Sequence, residues 1–356
     1  MLQKLIANFV LYFFVIIKLM EFLRDISLKS LNTFGIDAKA RFFLELKHES
    51  DLNGLTDNIK NSNIFCLGGG SNVLFVNDFD GLVIANNLKG IKIIDSNDDY
   101  VTLEVAAGEN WHNFVSLTLK NKYYGLENLA LIPGKVGGAP IQNIGAYGAE
   151  QSEFFVYLKA FDLLDFKLKT FSKEECLFDY RTSVFKNKFK NRYLIINVAY
   201  KLSRKPNLNL KYKELEEEVR KIPTINPDPE YIFEAVCRIR QRKLPDPTMI
   251  GNAGSFFKNP IIEKAKFNEI KNQYEDFRGF EMPDGRLKVF AAWLIEKCGW
   301  KGYREGDAGV HENHSLILVN YGNASGKDIL NLSNKIKDSV LEKFDILLEP
   351  EVEIVK

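Results

Sequence analysis

The sequence predicts an α+β fold, and three observations carry that expectation. Strand signals crowd residues 40–200, without the regular strand–helix alternation of a doubly wound sheet. Two segments, Leu67–Leu74 and Pro133–Gly148, consist almost wholly of glycine, small and apolar residues. Three prolines within Pro223–Pro229 mark a composition shift, and amphipathic helices follow it.

The elements can be justified in chain order. Leu5 to Met20 is almost entirely apolar, with Lys4 before it and Lys18 inside. It is short for a membrane span of about 20 residues, and no small-residue cleavage site follows it as in a secretory signal. Residues 1–19 therefore read as an over-called start, with Met20 as initiator, in preference to a membrane anchor. Arg41–Leu46, Ile64–Leu67, Gly81–Ala85 and Tyr100–Ala106 read as short strands. Asn110–Lys120 reads as a helix with Trp111, Phe114, Leu117 and Leu119 roughly on one side. Phe155–Asp162 and Phe166–Phe171 alternate around a turn at Leu164–Asp165, as a hairpin does, and Tyr193–Tyr200 is a further strand. Asp228 as N-cap and Pro229 at the first helical position open a helix from Glu230 to about Arg242. A second helix is expected from about Lys288 to Lys297, ended by Gly299. Ser315–Asn320 reads as a buried strand. Ser325 with Asp328 makes a capping-box start for a helix that aligns Ile329, Leu332, Ile336 and Val340. A last strand is expected over Leu348–Val355.

The 356 residues suffice for two or three domains with substantial cores, and a net charge of +1 favours no nucleic-acid partner. Cys66, Cys176, Cys237 and Cys298 are far apart and form no C-x-x-C pair, which points to buried free thiols in a reducing compartment. Among the histidines only His311 and His314 are close, without a carboxylate–histidine pattern, so no metal site is expected.

The two glycine segments are more informative. A solvated loop would be polar, and a core helix would not tolerate so many breakers. Segments without side chains let backbone N–H and C=O groups approach a large flat ligand. Two of them suggest one extended cofactor, such as a dinucleotide, although the triple glycine alone is better explained by a tight turn. Neither G-x-G-x-x-G leading into a helix nor G-x-x-x-x-G-K-[ST] occurs, which disfavours an ordinary Rossmann or P-loop site.

Other segments offer chemistry beside a plain structural reading. Gly251–Pro260 leads small residues up to Ser255. The elbow of a serine hydrolase is absent, so Ser255 is either a turn residue or a proton donor to a strongly basic carbon. Arg181, in Asp179-Tyr-Arg, is either a surface charge or a clamp for a substrate carboxylate. The basic run Arg238, Arg240, Arg242, Lys243 either neutralises a diphosphate or complements a helix C-terminus. Glu349 and Glu351, spaced i, i+2 on the expected last strand, should face one side, normally solvent. Burial would instead raise the pKa of one of them and let it donate a hydrogen bond.

Taken in order, these segments resemble the UDP-N-acetylenolpyruvylglucosamine reductases (UDP-N-acetylmuramate dehydrogenases) of bacterial wall synthesis. The matching runs are Asn32–Asp37, Leu67–Phe75, Ala107–His112, Gly125–Gly134, Pro140–Gly148, Tyr180-Arg181, Lys243–Pro247, Gly251–Pro260 and Leu348–Val352. The likeness extends over nearly the whole chain from about residue 27. It implies a flavoprotein of the vanillyl-alcohol-oxidase (PCMH-type) fold. FAD-binding lobes would span 27–90 and 91–222, a substrate-binding domain 223–345, and a C-terminal strand carrying the catalytic glutamate 346–356.

Residue by residue, the resemblance assigns FAD contacts to Gly68, Gly69, Gly70, Ser71, Asn72, Val73, Gly137, Gly138, Ile141, Gly145 and Ala146. Some family members carry serines where Gly137 and Gly138 stand, so backbone N–H groups would replace hydroxyl contacts here. The loops hold no histidine, which implies non-covalent FAD. Arg181 matches the arginine that stabilises developing charge, Glu351 the assisting acid and Ser255 the proton donor. Tyr212, Lys243, Asn259 and His314 match substrate-side positions. Glu353 departs from the basic residue found there in many members. The implied activity is reduction of UDP-N-acetylglucosamine enolpyruvate to UDP-N-acetylmuramate, with NADPH as co-substrate, by a cytoplasmic monomer free of membrane and nucleic acid. The alternatives are a flavin oxidase of the same fold acting on a sugar or lactone, and a nucleotide-sugar binding protein without turnover.

Overall fold

The first sheet explains most of the architecture. In a computed structural model describing residues 22–55, 59, 62–222 and 228–356, it orders the strands Leu23–Ser27, Lys39–Leu46, Phe79–Asn86 and Ile64–Leu67. The first pair is antiparallel and the other two are parallel. The apolar stretch of residues 5–20, and with it the over-called start, lies outside the described residues, as do residues 223–227 of the proline-rich segment. Phe79–Asn86 is buried at nearly every position, the signature of a parallel strand covered on both faces. Its alternate residues serve different cores. Val83 and Ala85 join Phe65 and Leu67 in a core shared with the C-terminal third of the chain. Leu82 and Ile84 join Leu44, Leu46, Phe161, Leu194 and Ile196 against the second sheet.

The second sheet is wholly antiparallel, in the order Leu168–Ser172, Phe155–Asp162, Tyr193–Ser203, Tyr100–Ala106, Ile91–Ser96. The expected hairpin is present, with Phe166 in the left-handed region at φ 52°. Trp111 anchors the helix Trp111–Lys120 beneath this sheet. Its indole N–H donates to the Leu129 carbonyl at 2.8 Å, and Asn110 caps the helix. The helix Pro229–Lys243, capped by Asp228, buries Ile232, Ala235, Val236 and Ile239 in the same core. It thus packs with the second sheet, although it follows the proline-rich segment expected to divide the chain.

The C-terminal third builds a sheet from Gly251–Ser255, Ile317–Asn320, Ala308–Val310 and Arg304–Glu305. The helix Gly326–Phe344 covers it, with the expected capping box and buried stripe. Two expectations need correction. Leu287–Val289 is a strand, held between Ile261–Ile262 and Gly279–Glu281, so the helix begins only at Ala291; Gly299 follows it at φ 83° as anticipated. The β-branched valine at 289 and its neighbours pair in that ladder, a tertiary demand that overrides helical periodicity. The last strand covers only Glu353–Val355, because Pro350 forms an isolated bridge with Phe257 and pairing resumes only beyond it. That strand runs parallel to Val73–Phe75, so the chain returns to the first lobe.

Gly326 shows how closely these units meet. A Cβ there would lie 1.9 Å from the Phe75 carbonyl oxygen. Helix propensity alone favours alanine at this position, but the contact reverses the sign. Gly326→Ala is expected to destabilise the protein by about 1–3 kcal/mol, read from the denaturant midpoint. An unchanged midpoint would show that this helix start does not rest on Phe75.

Candidate functional site

One cavity of about 1070 Å³ opens where the two glycine segments, the Asp179–Lys190 loop and the C-terminal third converge. Its side-chain-poor wall has a steric origin. A Cβ on Gly69 would sit 2.7 Å from the Cα of Gly134, and one on Gly70 would sit 1.9 Å from the Leu31 carbonyl oxygen. The two glycine segments therefore touch backbone to backbone. Gly68 and Gly138 differ, because a Cβ on either would meet nothing within 4 Å, and both line the cavity. Their bare backbone faces open space. Gly68 to Val73, Ile141, Gly145 and Ala146 also line it. Gly137 does not: a Cβ there would lie 2.6 Å from the Ala107 Cβ, inside the wall.

Arg181, Ser255 and Glu351, 170 residues apart at the extremes, all line this cavity. Arg181 reaches it from a left-handed backbone position, φ 54°, within the turn closed by the Asp179–Thr182 bridge. Such a conformation costs a non-glycine residue about 1–3 kcal/mol. The side chain then donates to the Gly145 carbonyl at 2.5 Å and pairs with Glu351, Nε to Oε1, at 3.3 Å. A side chain at Gly145 would stand 3.1 Å from the guanidinium, so this glycine clears the arginine's path.

Ser255 ends its strand just after a bulge, where Asn252–Ser255 opposes Ile317–Val319 with one extra residue and Gly254 adopts φ 68°. Bulges re-aim side chains. No group among the described residues hydrogen-bonds the Ser255 hydroxyl, so its proton is free for a ligand.

Glu351 departs from the even face expected for it. Glu349 is 68 % exposed and Glu351 only 16 %, since this segment is not regular strand and residues two apart need not share a side. Burial raises the Glu351 pKa above its ordinary 4.5, against the opposing pull of Arg181, Lys186 and Lys258. Its backbone N–H donates to the Phe256 carbonyl at 2.8 Å, next to Ser255.

The substrate-side expectations divide. Tyr212, Lys243 and His314 line the cavity. Tyr212 meets Tyr147 edge to face at 5.3 Å, and burial pushes the Tyr147 hydroxyl up to about 12. Lys243 pairs with Glu214 at 2.5 Å, and burial followed by the nearby Lys243 charge lowers the His314 pKa. Asn259 does not line the cavity; its side-chain oxygen accepts from the Ala291 N–H at 3.0 Å, at the head of a helix. Glu353 pairs with Lys190 at 2.5 Å.

The basic run also divides. Arg238 and Arg242 pair with Glu214, Glu218 and Glu234. Arg240 turns inward, donating to the Leu131 carbonyl at 3.1 Å, and no carboxylate among the described residues pairs with it. The signal for this was in the spacing: Arg240 follows Val236 by four residues, on the stripe of Ile232, Val236 and Ile239. Lys186, five residues beyond Arg181, also lines the cavity and was not anticipated. Among the described residues no group of three or more His, Cys, Asp or Glu is placed to hold a metal, and all four cysteines are free.

Comparison with known proteins places these features in context. Residues 246–355 match the family model described as UDP-N-acetylenolpyruvoylglucosamine reductase, C-terminal domain, and residues 41–165 match an FAD binding domain model. A UDP-N-acetylenolpyruvoylglucosamine reductase of Flavobacterium johnsoniae is 46 % identical over 94 % of this chain and 100 % of its own length. That of Amoebophilus asiaticus is 45 % identical over 95 % and 100 %. The crystal structure of the Thermus caldophilus UDP-N-acetylenolpyruvylglucosamine reductase superimposes with a TM-score of 0.66 at 25 % identity, covering 95 % of this chain and 100 % of that one.

The loop contact makes a discriminating prediction. Gly69→Ala is expected to destabilise the ligand-free protein by about 1–3 kcal/mol. Gly68→Ala, one residue away, is expected to stay within about 0.5 kcal/mol. Equal effects in chemical denaturation would refute the backbone contact.

Proposed function

Because the chain belongs to the UDP-N-acetylenolpyruvoylglucosamine reductase family, we propose that the convergence of Arg181, Ser255 and Glu351 is its catalytic centre. The enzyme is an FAD-dependent oxidoreductase that reduces UDP-N-acetylglucosamine enolpyruvate to UDP-N-acetylmuramate with NADPH, a step of peptidoglycan precursor synthesis. The residues present fit FAD. Gly68 and Gly138 offer bare backbone to the cavity, and Arg240 brings an inward cation without a carboxylate partner among the described residues, as a diphosphate requires. Bound there, FAD would supply hydride chemistry, carrying reducing equivalents from NADPH to the terminal carbon of the enolpyruvyl group.

The remaining work falls to the protein. Arg181 presents a planar fork to the substrate carboxylate, where negative charge grows in the transition state. Glu351 in its protonated form donates a hydrogen bond to the same group, which its raised pKa favours. Ser255 delivers the proton to the carbon beside the carboxylate, and its high pKa is no obstacle with so basic an acceptor. Tyr147, Tyr212, Lys243 and His314 line the part of the cavity left for the nucleotide sugar. What supports this reading most is that an ion pair and an unpartnered hydroxyl, drawn from three distant segments, share one cavity with the glycine wall. We assign the two sheets and the helix Pro229–Lys243 to FAD and residues from about 246 onward to the substrate, with the protein acting as a monomer in the cytoplasm. Among the described residues no helix is long and apolar enough to cross a membrane.

The purified protein is expected to consume NADPH beyond one equivalent per flavin only when the enolpyruvyl sugar is supplied. Oxidation of a sugar or lactone with molecular oxygen as acceptor, without consumption of NADPH, would favour the oxidase reading. Ser255→Ala should leave bleaching of the yellow colour by NADPH intact while slowing product formation about 10²–10⁴-fold; undiminished turnover would remove Ser255 from this role. The sugar-reducing step should run below the Glu351 pKa and fall as pH rises through it, because the deprotonated carboxylate cannot donate. Glu351→Gln should flatten that limb, and a limb that persists would belong to another group.

A further inference from the structure

We propose that Lys186 is a positioning residue that acts through Glu351; the inference rests on the catalytic reading of Glu351 given above. Lys186 lines the cavity in the Asp179–Lys190 loop that carries Arg181, and its ammonium donates to the Glu351 carbonyl oxygen at 2.9 Å. No carboxylate among the described residues forms an ion pair with it. The nearby Glu353 is engaged by Lys190 at 2.5 Å. A half-buried ammonium with one neutral acceptor is an expensive way to fill space. An apolar side chain would pack there at lower cost.

The geometry shows what the ammonium holds. Residues 351 and 352 lie between the Pro350–Phe257 bridge and the strand that starts at Glu353, without regular pairing of their own. The Glu351 peptide is gripped on both sides. Its N–H donates to Phe256, and its carbonyl accepts from Lys186 and, at 3.2 Å, from the Asn72 side chain. The same Asn72 amide donates to Gln142 at 2.5 Å, tying this grip to both glycine segments. Lys186 fixes the peptide whose side chain meets Arg181.

Charge adds a second effect. The groups facing the Glu351 carboxyl are Arg181 and Lys186 from one loop and Lys258 from the segment beyond Ser255, all cationic, with Tyr180 beside Arg181. Glu353 lies nearby on the same segment and acts on Lys186. Loss of the Lys186 charge would make the Glu351 proton harder to remove.

A double-mutant cycle tests this on the full-length flavoenzyme, reduced by NADPH and then mixed with the enolpyruvyl sugar. Lys186→Met, which keeps the length of the side chain, should slow that step on the order of 10²-fold and leave reduction by NADPH within about twofold. Lys186→Arg should restore most of the loss. The alkaline limb assigned to Glu351 should move to higher pH in Lys186→Met. In a Glu351→Gln background the same change should add less than about threefold, because a residue acting through another has nothing left to act on. Equal cost in both backgrounds, or a limb that stays in place, would overturn the proposal while leaving Glu351 catalytic. A Glu351→Gln variant with normal turnover would instead remove the catalytic reading of Glu351, and the proposal would fall with it. If Lys186→Met does not retain flavin, Lys186→Gln enters the same cycle.

Discussion

The structure depends on the approach of two backbones without side chains between them. Gly69 lies against Gly134, and Gly70 lies against the Leu31 carbonyl, at distances no Cβ permits. This packing closes one wall of the cavity and leaves its surface to N–H and C=O groups. A dinucleotide has a flat ring system at each end and a doubly charged middle, and such a wall accepts it where side chains would intrude. The same constraint recurs at Gly145, whose missing side chain lets Arg181 cross to Glu351. Glycine here gives reach to other groups more than it gives flexibility.

The ion pair at that crossing has an energetic logic. Burial opposes the Glu351 charge, and the surrounding cations restore it only in part. A carboxyl group kept fully ionised could not donate a hydrogen bond, and one kept fully neutral would not hold Arg181 by charge. The intermediate state suits a site where negative charge appears transiently on the substrate. The left-handed backbone of Arg181 adds a cost that the surrounding turn must offset.

Much of the fold could be read from the sequence because local chemistry and global demand agree there. The caps at Asp228 and Ser325, the stripe Ile329–Val340 and the alternation in Tyr100–Ala106 each say locally what the tertiary structure uses. Leu287–Val289 failed because periodicity continued from the neighbouring helix, while its pairing partners lie elsewhere in the chain. Glu351 failed for a related reason: a two-residue period holds only while a strand persists, and Pro350 interrupts it. Within the site, Arg181, Ser255 and Glu351 each read as well as a surface arginine, a turn serine and a solvent-facing glutamate, and only the ordered family motifs set them together; the structure brings all three to one cavity. Gly137 and Asn259 show the limit, since a residue can belong to the right motif and still point into the wall or toward a helix end. Lys186 was invisible, because one lysine in a lysine-rich loop announces nothing until its ammonium is seen against a carbonyl.

The pairing of Glu353–Val355 with Val73–Phe75 bears on how the molecule comes into being. Asn72 and Glu351 are 279 positions apart in sequence, yet one hydrogen bond joins them. During synthesis at the ribosome, the glycine wall emerges long before the segment that completes the floor, and contacts so remote close late. The nascent chain must keep the exposed edge at Val73–Phe75 out of intermolecular pairing until its own partner arrives. Until residues 351–355 have been made, Arg181 lacks its carboxyl partner and the Val73–Phe75 edge lacks its neighbouring strand.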